Sequence, residues 1–173
     1  LAHFCGEGPL VEAFRNGEDI HRRTAAEVFG VMAPLVSVDQ RRAAKAINFG
    51  IVYGMSAFRL ARELRIPRGR AADYMAQYFR RYPQVEKFME ASKQSARDKG
   101  YAETLWGRRR ILHGLKASKR TEREAAERIA INTPVQGTAA DIIKAAMIEV
   151  HALLAARFPH TKLLLQVHDE LVL

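Results

Sequence analysis

The sequence predicts an α+β protein that is mainly helical, with a short antiparallel hairpin at its C-terminal end. Three observations predict it. Apolar and small residues recur at helical spacing between Asp19 and Phe158, in segments punctuated by Gly and Pro. One interval, Tyr101 to Leu112, loses that period around Trp106-Gly107-Arg108. Near the end, two short apolar runs flank Val167-His168-Asp169.

The elements follow in chain order. Asp19 to Phe29 is a short helix candidate that breaks near Gly30 and Pro34. Ser37 is placed to cap a second helix, which reads through Arg41 to Tyr53. Gly50 and Gly54 weaken its C-terminal half by roughly 1 kcal/mol each relative to Ala, so packing or a ligand must require them. A third helix runs from Ser56 to Leu64 and stops before Pro67. A fourth spans Gly69 to Arg81; Pro83 ends it and opens a fifth, Gln84 to Lys99, which Gly100 terminates. Tyr101 to Leu112 reads as a hairpin bent at Gly107. Thr121 to Phe158 is helical again, interrupted by Pro134 and Gly137. Lys162–Gln166 and Glu170–Leu173 read as two strands joined at Val167-His168-Asp169. No internal repeat or linker divides them.

A length of 173 residues, 48% of them hydrophobic, suits one domain or part of a larger one. A charged fraction of 27% argues against a disordered tail or a membrane protein. One cysteine, Cys5, excludes an intramolecular disulfide framework and points to a reducing compartment. No apolar run reaches the ~20 residues that span a bilayer, and the first residues lack the pattern of a secretory leader. With 28 Lys+Arg against 19 Asp+Glu, the net charge of +9 favours a polyanionic partner such as nucleic acid. Six Lys/Arg face a single acid, Glu103, between Gly100 and Thr121. The chain starts at Leu1 without Met and stops inside an apolar run at Leu173, which reads as a piece cut from a longer chain.

Chemistry concentrates at three places. Arg41, Lys45, Phe49 and Tyr53 recur every fourth residue and form one stripe on a helix. Two cations followed by two aromatic rings suit a nucleotide: the cations neutralise a polyphosphate, and the rings pack against base or sugar. Gly50 and Gly54 would let another backbone or a base pair approach. The plainer reading is an amphipathic helix with its rings in the core. Arg128, Asn132 and Gln136 form a second stripe, rich in donors that can read or support base edges and sugars, beside a bend at Pro134 and Gly137. Its plainer reading is a solvated polar face. Third, Asp169 and Glu170 project from a tight turn, and carboxylate oxygen is what Mg²⁺ prefers. A polar hairpin turn would also hold an Asp. His21 could cap a helix or reach a phosphate; His3 with Cys5 is too sparse for zinc. Neither the Walker nor the dinucleotide-binding glycine motif is present.

Together these features resemble family A DNA polymerases of the bacterial polymerase I type. Arg41-Arg42-Ala43-Ala44-Lys45-Ala46-Ile47-Asn48-Phe49-Gly50-Ile51-Val52-Tyr53-Gly54 is similar to the fingers-helix motif. Arg128 to Asp141 is similar to the primer-template helix, and Gln166-Val167-His168-Asp169-Glu170 to the palm motif. Asp19-Ile20-His21-Arg22 and Thr104-Leu105-Trp106-Gly107-Arg108-Arg109 also fit, and the resemblance covers the chain in the family's order. It implies the fingers (residues 1–120) and partial palm (residues 121–173) of a right-hand polymerase, without the thumb or the first palm motif. It implies that Arg41 and Lys45, assisted by His21, bind the triphosphate of a dNTP, with Lys45 also a general acid toward the leaving pyrophosphate. Phe49 would pack on sugar and base and disfavour dideoxynucleotides, and Tyr53 would sit beside the templating pair. Arg128 and Gln136 would contact the minor-groove side of primer-template DNA, Asn132 supporting them, with His168 near the primer terminus. Asp169 would ligate two Mg²⁺ ions, Glu170 supporting, for in-line attack of a primer 3′-hydroxyl on the α-phosphorus. The fingers helix would close over a correct pair. The basic segment after Gly100 would follow the DNA backbone. The implied enzyme is a DNA-directed DNA polymerase of replication and repair, cytoplasmic and monomeric, without a membrane partner.

Two other readings compete. A phage-type single-subunit RNA polymerase shares the Arg/Lys/Tyr logic, but typically places Ser after His-Asp, where Glu170 stands here. A non-catalytic, helical nucleic-acid-binding module on the same scaffold would not need Lys45, Tyr53 and Asp169 intact. The family's first palm strand, carrying a second catalytic Asp and a Glu that excludes ribonucleotides, has no counterpart in this chain. Asp39, Asp73 and Asp98 lie in or beside helices, and Asp141 on the Arg128 helix. The pure 173-residue chain is therefore expected to show no polymerase activity, checked by Mg²⁺-dependent extension of a labelled primer.

Overall fold

A computed structural model of the chain describes residues 1–168 and 170–173; Asp169 lies outside the described residues. Two short helices that the sequence reading did not anticipate, α1 (Ala2–Cys5) and α2 (Pro9–Arg15), lead into α3 (Ile20–Phe29). A single 3₁₀ turn at Ala33–Leu35 precedes α4 (Val38–Val52). Ser37 caps α4 as expected, and Gln40 completes a capping box by returning its side chain to the Ser37 backbone. Helices α5 (Ala57–Leu64), α6 (Arg68–Arg81) and α7 (Pro83–Lys99) follow.

The main core lies among α3 to α7. Tyr74 and Tyr78 on α6 and Tyr82 at its C-cap repeat every fourth residue and turn one aromatic edge inward, Tyr82 being only 1% exposed. Against them pack Val28 of α3, Ile47 and Ile51 of α4, Leu60 of α5 and Val85 of α7. The opposite face of α4 carries Lys45 and Phe49 outward. Burial of the inner stripe therefore orients the outer one.

The expected hairpin is present as β1 (Tyr101–Glu103) and β2 (Arg109–Ile111), antiparallel, with Ala102 opposite Arg110. Gly107 holds its bend at φ 80°. A second small core joins Ala96 of α7, Ala102, Leu112 and Ala130 of α8 (Arg120–Asn132). Beyond α8 the interruption expected at Pro134 and Gly137 takes the form of a π-helical turn, Thr133–Gly137, from which the chain passes straight into α9 (Thr138–Arg157). A π turn shifts the hydrogen-bond ladder by one residue and so accommodates the N–H that Pro134 lacks. The Thr133 hydroxyl donates to the Ile129 carbonyl at 2.7 Å in the same stretch.

The first hairpin is clamped onto this turn. Leu105 N–H donates to Thr138 Oγ1 (2.9 Å), Arg108 Nε to Asp141 Oδ1 (2.6 Å) and Arg108 Nη2 to the Gly137 carbonyl (2.9 Å). Thr104 and Arg108 beside Asp141 hold its carboxyl below the ordinary carboxylate range. The six cations after Gly100 therefore do not form an unopposed basic surface. Acids outside the segment meet three of them: Asp141 meets Arg108, Glu124 meets Arg120 and Glu122 meets Lys119. Arg109 lies over the Tyr101 ring at 4.6 Å.

At the C-terminal end, β3 (Leu165–Val167) pairs with β4 (Glu170–Val172) in antiparallel register, Val167 opposite Glu170. The first strand starts later than expected and includes Val167. His168, which follows β3, sits at φ 55°. Among the described residues, no helix is long and apolar enough to cross a membrane.

Gly137 is where the clamp tolerates no side chain: a Cβ there would stand 2.6 Å from Thr104 Cγ2. Gly137→Ala is expected to destabilise the chain by about 1–3 kcal/mol as the hairpin is pushed off the π turn. Thermal or urea unfolding of the variant against wild type checks it.

Candidate functional site

The four residues of the first stripe stand on the outer face of α4 and its C-terminal cap, as their spacing predicts. Phe49 and Tyr53 are exposed by 44% and 40%, which excludes the plainer reading of them as core residues. Their rings stack, with centroids 6.1 Å apart and planes 22° from parallel. Lys45 Nζ lies 5.8 Å from the centre of the Phe49 ring, and the His21 ring approaches the same Phe49 at 5.8 Å. His21, Arg41, Lys45, Phe49 and Tyr53 thus form a continuous strip of cationic and aromatic surface across α3 and α4.

Asp19 joins the two helices, and sequence reasoning missed its role. Its Oδ1 caps α3 by accepting from the N–H groups of His21 (3.0 Å) and Arg22 (3.1 Å). Its Oδ2 accepts from Arg41 Nε on α4 at 2.7 Å. Arg41 therefore spends one donor on Asp19, and its two terminal nitrogens remain for an anion. The hydrogen bond from Arg41, together with the backbone N–H groups of Arg22 and His21, holds the Asp19 carboxyl below the ordinary carboxylate range. His21 is shifted downward, first by burial and then by Arg41 and Lys45, against an opposing pull from Asp19.

The glycines have a different role from the one expected. Gly54, at φ 65°, ends α4: Met55 N–H returns to the Gly50 carbonyl (2.8 Å) and Gly54 N–H to the Ile51 carbonyl (2.9 Å). That pair of bonds is a Schellman cap, which requires a left-handed residue. Gly50 lies against the Met55 side chain, where a Cβ would meet Sδ at 3.0 Å. A Cβ on Gly54 would meet Cγ of Arg128 at 3.1 Å. The close approach these glycines allow is thus to protein.

That approach unites the two stripes. Tyr53, Met55 and Arg59 form one wall of a groove of about 440 Å³, and Arg128, Asn132 and Gln136 line the other. Arg128 and Gln136 are exposed. Asn132 Oδ1 is buried and accepts no hydrogen bond among the described residues. The third place stays apart: His168 and Glu170 are exposed on the β3–β4 hairpin and line none of this groove. Among the described residues, no three His, Cys, Asp or Glu side chains converge to hold a metal ion.

Comparison with known proteins bears on this geometry. The model of the family described as DNA polymerase family A matches residues 1–173. The chain is 51% identical over 173 residues to the DNA polymerase I of Pseudomonas aeruginosa, covering all of this chain and 19% of the relative. It is 48% identical over 173 residues to the thermostable DNA polymerase I of Thermus thermophilus, covering all of this chain and 20% of the relative. The chain thus spans about a fifth of the length of these relatives. Its fold matches the solved POL domain of Pol1 from M. smegmatis, in complex with DNA primer-template and dNTP, with a TM-score of 0.91 and 45% identity. That match covers 98% of this chain and 30% of the neighbour.

Removing the Asp19 carboxylate should loosen both α3 and Arg41. Asp19→Ala is expected to cost about 1–2 kcal/mol at pH 7, and Asp19→Asn, which can still cap the helix, less. Because the folded state holds this carboxyl low, its contribution is fully present above the ordinary value of about 3.9 and fades as pH falls through the lowered one. Urea unfolding of wild type and Asp19→Ala at pH 7 and pH 3 should show the gap narrowing in acid.

Proposed function

Since the chain belongs to DNA polymerase family A, we propose that it is the fingers and part of the palm of a DNA-directed DNA polymerase, residues 1–120 and 121–173 respectively. The observation that carries this reading is the groove where Tyr53 meets Arg128, Asn132 and Gln136, continuous with the cationic strip of α4. A nucleotide has three parts with different chemistry, and the strip offers each a partner in order.

Arg41, Lys45 and His21 take the triphosphate. Arg41, steadied at Nε by Asp19, presents its remaining donors in a planar fork, while Lys45 supplies a compact charge and the proton for the departing pyrophosphate. Phe49 packs against sugar and base, and Tyr53 closes the end of the strip where the templating pair forms. Across the groove, Arg128 and Gln136 donate to the minor-groove edge of primer-template DNA, and Asn132 fixes their surroundings. The substrates are dNTP and primer-template DNA, the kinds of molecule bound in the solved neighbour.

Family A polymerases are in general Mg²⁺-dependent. The described residues do not assemble a metal site. Asp169 and Glu170, with His168 beside them at the primer end, would hold Mg²⁺ only together with carboxylates from elsewhere in the enzyme.

Lys45→Ala in the polymerase containing this segment tests the reading. Loss of a charge-assisted contact to the triphosphate, about 2–3 kcal/mol, should lower kcat/KM for dNTP by on the order of 100-fold while primer-template affinity stays near wild type. Single-nucleotide extension and duplex-binding assays measure the two quantities. Near-wild-type extension would remove α4 from the triphosphate site.

A further inference from the structure

Two buried polar side chains lie directly behind the strip, and the reading above assigns them nothing. Thr24 of α3 is 1% exposed and Asn48 of α4 is 9% exposed. Asn48 shares the inward face of α4 with Ala44, Ile47 and Ile51, where an apolar side chain would cost less to bury. Thr24 Oγ1 donates to Asn48 Oδ1 at 3.2 Å, and Asn48 Nδ2 faces His21 Nδ1 at 3.0 Å. His21 Nε2 makes no hydrogen bond among the described residues.

We propose that the Thr24–Asn48 pair fixes the tautomer of His21, so that His21 meets its anionic ligand as a neutral ring with its proton on Nε2. The proposal rests on the triphosphate reading of His21. The chemistry is directional. A carboxamide accepts only at oxygen and donates only at nitrogen. With its oxygen held by the Thr24 hydroxyl, Asn48 can only donate toward His21, so Nδ1 must be the bare nitrogen. The proton is then on Nε2, the nitrogen left free to donate to a phosphate oxygen. An imidazolium would set Nδ1–H against the N–H of Asn48, so the contact also favours the neutral ring. Burial of the ring, and after it the neighbouring cations Arg41 and Lys45, act in the same sense, and Asp19 acts against it. Thr24 and Asn48 are positioning residues, since they touch His21 and not the ligand.

This arrangement differs in an observable way from a mere staple between α3 and α4. A staple works equally well with the amide turned over, its oxygen accepting from a protonated Nδ1. Two-bond ¹H–¹⁵N correlation spectra of the chain labelled in its histidines distinguish the two forms directly, with the His21 signals assigned by their loss in His21→Gln. The wild-type chain should show Nε2 protonated and Nδ1 bare; Nδ1 protonated would overturn the proposal without any variant having to fold. Asn48→Asp replaces the donor by a carboxylate and should move the proton to Nδ1, whereas Thr24→Val, nearly isosteric, should leave a mixture of tautomers. An unchanged ring in a folded Asn48→Asp would also overturn it.

In the polymerase, a mixture with half the molecules in the wrong form should raise the apparent dissociation constant for dNTP about twofold in Thr24→Val. Full inversion in Asn48→Asp should raise it on the order of tenfold or more, with primer-template affinity unmoved. His21→Ala separates the two ideas. If it leaves dNTP affinity at wild type, the triphosphate role of His21 fails whatever the spectra show. If it weakens dNTP binding while wild-type His21 carries its proton on Nδ1, the tautomer assignment alone fails.

Discussion

A single carboxylate sets the relation between the two helices that carry the cationic and aromatic strip. Asp19 sits at the start of α3 and uses one oxygen to satisfy two backbone donors that the helix geometry leaves orphaned. Its other oxygen holds the guanidinium of Arg41, 22 residues away on α4. The pair is more than one-third exposed on each side, so solvent screens its Coulomb energy and it contributes little to global stability. Its consequence is geometric. His21 and Arg41 are tied to the same carboxyl group, one through its main chain and one through its side chain, so the two stand in a fixed relation on the strip. Without that tie, Arg41 would be a long side chain free to explore many rotamers, and ordering it would cost side-chain entropy.

How much of this was legible in the sequence depends on the range of the interaction. The stripe from Arg41 to Tyr53 needed only helix periodicity, and the cap at Ser37 only local hydrogen-bonding rules. Tyr53 and Arg128 are 75 positions apart in sequence, and no period links them. Their meeting at one groove depends on α4 ending in a Schellman cap and on Gly54 having no side chain to hold Arg128 away. The glycines were correctly singled out as unusual, but spacing cannot say whether a gap admits a ligand or a neighbouring side chain. The basic segment after Gly100 shows the same limit: composition counts charges within a window, and Asp141, which neutralises Arg108, lies outside it.

Backbone details escaped for a different reason. Pro134 in a helical pattern signals a broken ladder, and an ordinary kink and a π turn break the ladder in ways that residue preferences do not separate. The contacts that meet the π turn are tertiary, and no local preference encodes them: Leu105 and Arg108 of the hairpin dock on Gly137, Thr138 and Asp141. The inclusion of Val167 in β3 has a simpler cause. Val167 pairs with Glu170, and that register draws Val167 into the strand.

The groove and the clamp turn out to be one structure seen from two sides. The π turn displaces the helical register between Asn132 and Thr138, so Arg128 and Asn132 before it and Gln136 within it need not follow the straight four-residue stripe that their spacing suggests. The groove wall that faces Tyr53 is therefore shaped by residues on the far side of the helix, where Gly137 accepts the hairpin. A side chain added at Gly137 would act on the groove without touching it, by forcing the hairpin away or the π turn back toward regular helix. The turn behind the groove wall is held by Thr104, Arg108 and Asp141, none of which lines the groove.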